Sequence, residues 1–308
     1  MPHFFGRSTG GFSLLPVTAR RSYLVLAVVC TGWGTIPLVV RHVSVPAVAI
    51  AFSRVWVAAI GLGIALLLGA DADGRPLFSW RPLRCGATGA LLGLHWVALF
   101  AAYKRAPAGT VILIVYLAPV GIAIVAPRAL GERLGRRTVF ALALAATGSV
   151  AIARPAVHAV GGAGLLLAGF TAVSFVALVV VSKPLADAYG GVRLAFMEMV
   201  GAGVTLIPWA ATSAWGSPRA TWWLLVVLGL VHTALGVGLY LGALGRVPAT
   251  HVGIMGYLEP VGVLVVAWVF LSESPSLGTL VGGALIVAAG ALLIRTAGSA
   301  EVPIVASR

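Results

Sequence analysis

The chain has 308 residues, of which 60% are apolar and 9% charged, and its mean hydropathy is +1.05. Soluble domains carry about 25% charged residues, so this composition excludes an ordinary water-soluble fold. The formal net charge of +13 comes from arginines that stand between apolar runs, not along one exposed face, and such an arrangement does not predict a nucleic-acid partner.

The first apolar run, ARRSYLVLAVVC, superficially resembles a signal peptide that ends at Cys30. Val29 stands where a small residue is expected before a cleaved bond, so we expect Ser22 onward to form a membrane helix. The positions of Cys30 and Cys85 predict neither a disulfide framework nor a metal site.

Breaks at proline, glycine and arginine clusters divide the remaining chain into ten apolar stretches. About 20 apolar residues cross roughly 30 Å of hydrocarbon as a helix, and the stretches are twice as long as a barrel strand requires. The predicted spans 1 to 10 are residues 22–41, 47–69, 85–103, 109–130, 137–153, 162–182, 192–211, 221–243, 250–271 and 277–295. The sequence therefore predicts an all-α polytopic membrane protein with ten transmembrane helices.

The basic residues of the loops predict the orientation of these spans. With the N-terminus in the cytoplasm, the inner side holds Arg7, Arg20, Arg21, Arg75, Arg81, Arg84, Arg128, Arg133, Arg136, Arg137, Lys183, Arg193, Arg246, Arg295 and Arg308. The outer side holds Arg41, Lys104, Arg105, Arg154 and Arg219. This asymmetry predicts a multi-pass protein of the cytoplasmic membrane, with cytoplasmic tails at residues 1–21 and 296–308.

One stretch of the chain occurs twice. YLAPVGIAIVAPRALGE, residues 116–132, returns as YLEPVGVLVVAWVFLSE, residues 257–273, at a constant offset of 141. The ungapped matches include Arg105 with Arg246, Pro107 with Pro248, Tyr116 with Tyr257, Pro119 with Pro260 and Glu132 with Glu273. Agreement at these residue types indicates a duplicated five-helix unit, which we assign to residues 22–154 and 162–295. Five is odd, so the second unit enters the membrane from the opposite side, and a solute cavity is expected between the two inverted repeats.

The proline-centred LxPV of spans 4 and 9 resembles the EamA-type family of the drug/metabolite transporter superfamily. So do the GER at residues 131–133, the SES at residues 272–274 and the arginine within span 2. The resemblance covers residues 22–295. It implies a basket of ten helices around a central pocket that carries small metabolites, often outward, and it does not identify the cargo.

Glu259 is the most unusual residue, because a carboxylate in the middle of a span costs about 2.5–3.5 kcal/mol on insertion scales. Its counterpart Ala118 indicates that the scaffold does not require an acid at this position. Glu259 is therefore a candidate for binding cargo or a coupling proton or cation. The alternative is a structural acid that supports a helix break at Pro260, and the family often carries this LEP.

Pro119 and Pro260 each remove a backbone hydrogen bond, and the freed carbonyls must point at protein or water. We therefore expect spans 4 and 9 to line the cavity, with a simple packing kink as the alternative. Arg54 and Glu198 occupy equivalent positions of the repeats at an offset of 144. Their different depths argue against a direct salt bridge, and a structural role is the alternative for each.

The histidines and aromatic residues within the spans form a further group of candidates. His95, His232 and His251 could relay protons, since imidazole titrates near neutrality, although ordinary hydrogen bonding is the simpler explanation. The aromatic residues that could stack on a cargo, or merely pack the interior, are Trp33, Trp96, Tyr116, Phe175, Tyr240 and Tyr257. The pairs Gly89–Gly93, Gly238–Gly242 and Gly278–Gly282 predict close helix packing within the chain, with a homodimer face as the alternative.

No Walker A, H-E-x-x-H or G-x-S-x-G motif occurs, so we predict a non-enzyme that needs no cofactor and no metal. The preferred hypothesis is a secondary transporter that exports a small organic solute by alternating access, with spans 1, 3, 4, 6, 8 and 9 around the cavity. A passive facilitator or lipid flippase of the same fold is the main alternative. An intramembrane enzyme acting on a lipid-linked substrate is a weaker one, because the acids and histidines do not cluster at one interface.

Overall fold

The computed structural model describes residues 19–70, 82–106, 108–153, 161–213, 215, 219–272 and 274–296. Most of the two proposed tails, Arg154 and Glu273 lie outside these ranges. The described residues are helical, with ten helices long and apolar enough to cross a membrane. The predicted ten-span, all-α fold is confirmed, and the span numbers are kept below.

Six spans are continuous α-helices. These are span 2 at Ala47–Leu67, span 3 at Pro82–Tyr103, span 5 at Arg136–Ala153, span 6 at Gly162–Tyr189, span 7 at Gly191–Ala211 and span 10 at Leu277–Thr296. The predicted end of span 6 at residue 182 is wrong, because the helix continues through Pro184 to Tyr189. Lys183 is accommodated there by Asp187 and by the carbonyl of Gly245, at 3.1 Å from each.

Four spans are interrupted. Span 1 comprises Ala19–Trp33 and Ile36–Arg41, span 4 Ala108–Val115 and Ala118–Leu130, and span 9 Ala249–Gly256 and Leu258–Leu271. Span 8 comprises Arg219–Val227, a π-helix at Leu228–Leu235, and Gly236–Leu244. The breaks in spans 4 and 9 fall where the prolines predict them, whereas the break in span 1 and the π-helix were not predicted.

The two repeats meet antiparallel, as an inverted duplication requires. The repeat-equivalent rings of Tyr116 and Tyr257 stack with centroids 5.5 Å apart, so the two chain breaks face each other. Glu132, just past the end of span 4, hydrogen-bonds the backbone of Ala249 and Thr250 at the start of span 9. The end of one unit's fourth helix thus lies beside the beginning of the other unit's fourth helix.

Glycines allow the closest approaches between spans. A Cβ built on Gly282 of span 10 would lie 2.6 Å from the carbonyl oxygen of Gly148 in span 5. Gly89 and Gly93 of span 3 likewise face the backbone of span 7, at Glu198 and Ala202. These small residues therefore serve helix contacts within the chain.

Gly282→Ala tests this packing. Gly290→Ala is the matched control, because Gly290 lies in the same helix and an added Cβ would meet only ordinary contacts at 3.7 Å or more. Both changes gain the helix propensity of alanine, but overpacking at residue 282 is expected to cost about 1–3 kcal/mol. In detergent, Gly282→Ala should therefore unfold at a lower temperature than both the parent and Gly290→Ala. Equal unfolding midpoints for the two variants would contradict the close approach.

Candidate functional site

A cavity of about 570 Å³ lies between the repeats. Its walls come from spans 1, 3, 4, 6, 8 and 9, joined by single side chains of spans 2 and 7. The predicted site residues that line it are Trp33, Arg54, His95, Trp96, Tyr116, Pro119, Phe175, Glu198, Tyr240 and Glu259. Apart from its charged groups, the wall is largely apolar, as is typical of small-molecule sites.

Three predicted site residues lie outside this wall. Tyr257 is 1% exposed and packs behind the ring of Tyr116, and Pro260 is buried in the following turn. His232 is also buried, with its ring directed to Thr35 of span 1 at 2.6 Å. Any influence of these residues on a solute would be indirect.

The residues that line the two ends of the cavity differ in exposure. Lys104, an exposed residue at the end of span 3, forms part of the wall and donates to the carbonyl of Val45 at 3.1 Å. At the opposite end, the lining residues Leu244 and Gly253 are buried. The described conformation is thus open toward the end that carries Lys104.

The breaks in spans 4 and 9 place polar groups at the centre of the cavity. The carbonyl oxygen of Tyr116 lies at the break and has no regular helical donor. The Tyr257 hydroxyl donates to that oxygen at 2.8 Å instead. The Tyr116 hydroxyl in turn lies close to the carboxylate of Glu259. Glu259 lies in the first turn of Leu258–Leu271, where the helix dipole stabilises negative charge.

Arg54 is 3% exposed and its guanidinium edges the cavity. Its Nε donates to the Thr233 hydroxyl at 3.0 Å, and its central carbon lies 4.0 Å from the centroid of the Trp96 ring. A hydrogen bond and a cation–π contact therefore fix the orientation of the Arg54 guanidinium plane.

Glu198, the repeat counterpart of Arg54, has a different environment. The Ser182 hydroxyl donates to its Oε1 at 2.7 Å, and Thr88 lies beside the same carboxylate. Within the described part of the chain, no ion pair links Glu198 to Arg54. Positions equivalent in sequence have thus become chemically distinct.

The π-helix of span 8 joins the two repeats next to Arg54. Thr233, besides accepting from Arg54, donates to the carbonyl of Leu228 five residues earlier at 2.8 Å. The carbonyl of His232 accepts from the indole nitrogen of Trp33 at 2.9 Å. π-Helical turns often occur at functional sites. Hydropathy could not reveal this one, because the sequence LGLVHTAL reads equally well as regular helix.

A second polar group, which we call the Glu132 cluster, consists of Tyr23, Glu132, Thr138, Thr250 and His251. Glu132 accepts from the backbone nitrogens of Ala249 and Thr250 and from the Thr250 hydroxyl at 2.9 Å. His251 is hydrogen-bonded to Tyr23 through Nδ1 and to Thr138 through Nε2 at 3.0 Å. The cluster ties together the ends of spans 1, 4, 5 and 9 at the closed end.

The two stacked tyrosines should respond differently to loss of a hydroxyl. Tyr257→Phe leaves the Tyr116 carbonyl without its partner in a buried site, so we expect a loss of about 1–3 kcal/mol of stability. Tyr116→Phe keeps that hydrogen bond and removes only the hydroxyl that lies close to Glu259. Thermal unfolding in detergent should therefore show a larger fall for Tyr257→Phe. A larger fall for Tyr116→Phe would contradict the assigned pattern.

Ten spans in inverted repeats around a partly charged cavity define the architecture of a membrane solute transporter. The EamA-like transporter family matches residues 20–154 and 162–296, and the chain belongs to this family. The resemblance drawn from the motifs of spans 4 and 9 is confirmed.

Proteins similar to this chain include two exporters. The chain is 32% identical to a probable terminal-alkyne amino-acid exporter of Streptantibioticus cattleyicolor, over 92% of this chain and 91% of the relative. It is 29% identical to the pseudopaline exporter CntI of Pseudomonas aeruginosa, over 82% and 88% of the two chains. The fold also resembles a solved crystal structure of another protein, which is 21% identical in sequence and superposes with a TM-score of 0.77. The match covers 90% of this chain and 99% of the other protein's chain. That last likeness shows the fold alone.

Proposed function

We propose that the chain is a secondary transporter that exports a small amino-acid-like solute across the cytoplasmic membrane by alternating access. The observation that carries this proposal is the cavity of about 570 Å³ between the repeats, bordered by both an arginine and two acids. A zwitterion of modest size matches such a mixture of charges and apolar wall. The similarity to a terminal-alkyne amino-acid exporter supports the same class of cargo.

Both termini are proposed to be cytoplasmic, which the excess of basic residues on that side supports. In this orientation Lys104 lies at the outer end and the Glu132 cluster at the cytoplasmic end. The described conformation then corresponds to an outward-open state. Export would require the cytoplasmic end to open in turn, so the hydrogen bonds of the Glu132 cluster would break during each cycle.

Glu259 is the proposed coupling group. It lies close to the Tyr116 hydroxyl, in the first turn of a half-helix and under the electrostatic influence of Arg54. A carboxyl that exchanges a proton at the centre of the cavity could link solute release to an inward proton gradient. Glu198 is less suited to this role, because Ser182 holds its carboxylate.

Glu259→Gln tests coupling and cargo class together. Proteoliposomes would be loaded with the standard amino acids and a terminal-alkyne amino acid, and efflux followed by mass spectrometry with and without a proton gradient. We expect the wild type to release at least one of these compounds faster under the gradient. Glu259→Gln should lose that stimulation, because glutamine cannot release a proton.

Asp187→Asn is the matched control, since it removes a carboxylate that pairs with Lys183 away from the cavity. It should behave as the wild type. If no amino acid leaves the vesicles, the proposed cargo class is wrong. Gradient-stimulated efflux through Glu259→Gln would remove that residue from coupling, and efflux independent of any gradient would favour a passive facilitator.

Glu132→Ala tests the proposed cytoplasmic closure. Gly256 lines the cavity and has no atom within 4 Å of an added Cβ, so a cysteine there is an undemanding reporter. In a background without Cys30 and Cys85, a membrane-impermeant thiol reagent should label Gly256→Cys from the outside. Loss of the Glu132 hydrogen bonds should raise labelling from the cytoplasmic side. The reason is that the conformation closed at the cytoplasmic end loses stability relative to the conformation open at that end.

Arg128→Gln is the control for this experiment, since Arg128 is exposed on the same span and bonds only the carbonyl of Ile124 in its own helix. Unchanged cytoplasmic labelling in Glu132→Ala would show that the cluster does not close the cavity. Labelling of the parent from the cytoplasm alone would reverse the proposed orientation.

A further inference from the structure

The guanidinium of Arg54 has hydrogen-bonding capacity that its surroundings do not use. The group carries five N–H donors in a fixed fork, and the structure gives it one hydrogen bond, from Nε to Thr233. Among the described residues, no carboxylate comes within 4.0 Å of it. Glu259 acts on this charge electrostatically but forms no ion pair with it. A buried charge without a close anion is costly, so this arrangement indicates a partner that comes and goes.

The guanidinium of Arg54 is partly covered by neighbouring side chains where it borders the cavity. Trp96 covers one face of the guanidinium at 4.0 Å, with Phe100 further away at 5.7 Å. Thr233 occupies the Nε position, and Arg54 itself forms part of the cavity wall. The terminal nitrogens that remain present two parallel donors, which is the geometry that binds a carboxylate with two hydrogen bonds.

We propose that Arg54 is the anchor for a carboxylate of the transported solute. The inference rests on the proposed function and adds the group that recognises the cargo. Apolar wall residues near this end of the cavity, including Leu92, Leu99 and Phe175, can accept the hydrocarbon part of such a solute. The cargo class is thus an organic acid with an apolar side chain, amino acids included, and amides or esters of the same skeleton are excluded.

The contrast with Glu198 supports this assignment. Both residues occupy equivalent positions of the repeats, and both are at most 3% exposed. The carboxylate of Glu198 receives a hydrogen bond from Ser182 of its own repeat, whereas the terminal nitrogens of Arg54 receive no such partner. The two halves therefore provide one carboxylate that is hydrogen-bonded within its own repeat and one guanidinium whose terminal nitrogens are available to a ligand.

The experiment compares two probes that differ only in the carboxylate, L-norleucine and L-norleucinamide. Binding is measured as thermal stabilisation of the purified full chain in detergent, without any gradient. The wild type should bind norleucine about tenfold to hundredfold more tightly than the amide, the range expected for hydrogen bonds to a charged group. Arg54→Gln should bring this ratio close to one.

Arg54→Lys keeps the positive charge but loses the two parallel donors, so it should lower the preference for norleucine without abolishing it. If Arg54→Gln does not fold, Arg54→Lys serves as the test. Arg128→Gln removes an exposed arginine outside the cavity and should leave the ratio unchanged. The proposal is overturned if the wild type does not prefer norleucine, or if the ratio is unchanged in Arg54→Gln or Arg54→Lys. Because binding is measured without a gradient, failure here is distinct from failure of gradient-coupled export.

Discussion

Backbone hydrogen bonding inside a bilayer is the constraint on which this structure depends. Lipid offers no partner to a carbonyl freed by a helix break, so such a break must lie against protein or a polar cavity. The break in span 4 meets this requirement through the Tyr257 hydroxyl, which binds the carbonyl of Tyr116. The interrupted spans 1, 4, 8 and 9 all contribute to the cavity wall, whereas spans 5 and 10, both continuous, contribute no described residue. Every interrupted span therefore lines the solute space, together with the continuous spans 3 and 6.

Duplication provided a symmetric scaffold, and substitution at equivalent positions made it chemically asymmetric. Tyr116 and Tyr257 stack on each other, yet one hydroxyl lies close to a carboxylate and the other donates to a backbone carbonyl. Glu259 replaces the alanine of the first repeat, and Glu198 stands where the first repeat has Arg54. An arginine and an acid on different spans can then act on different parts of one solute. A strictly symmetric cavity would present the same groups to both ends of its cargo.

Much of the fold was predictable because it depends on properties that run along the chain. Hydropathy identified all ten spans, and the offset of 141 identified the repeats without any spatial information. Prolines located the breaks in spans 4 and 9, since proline cannot donate the helical hydrogen bond. The break in span 1 and the π-helix of span 8 were missed because their sequences are compatible with regular helix. The end of span 6 was misplaced because contacts from Asp187 and Gly245 accommodate Lys183 within the helix.

The sequence by itself determined the ten spans, the inverted duplication and the few charged residues placed among apolar neighbours. Only the tertiary structure decided that Arg54 and Glu259 border the cavity while Tyr257, Pro260 and His232 lie behind its wall. It also brought Glu132 of one repeat onto the first backbone nitrogens of span 9 in the other. The physical reason is that hydropathy and repeat offsets are properties of the linear sequence. The partner of a polar group depends instead on how each helix is rotated and packed against helices far away in sequence.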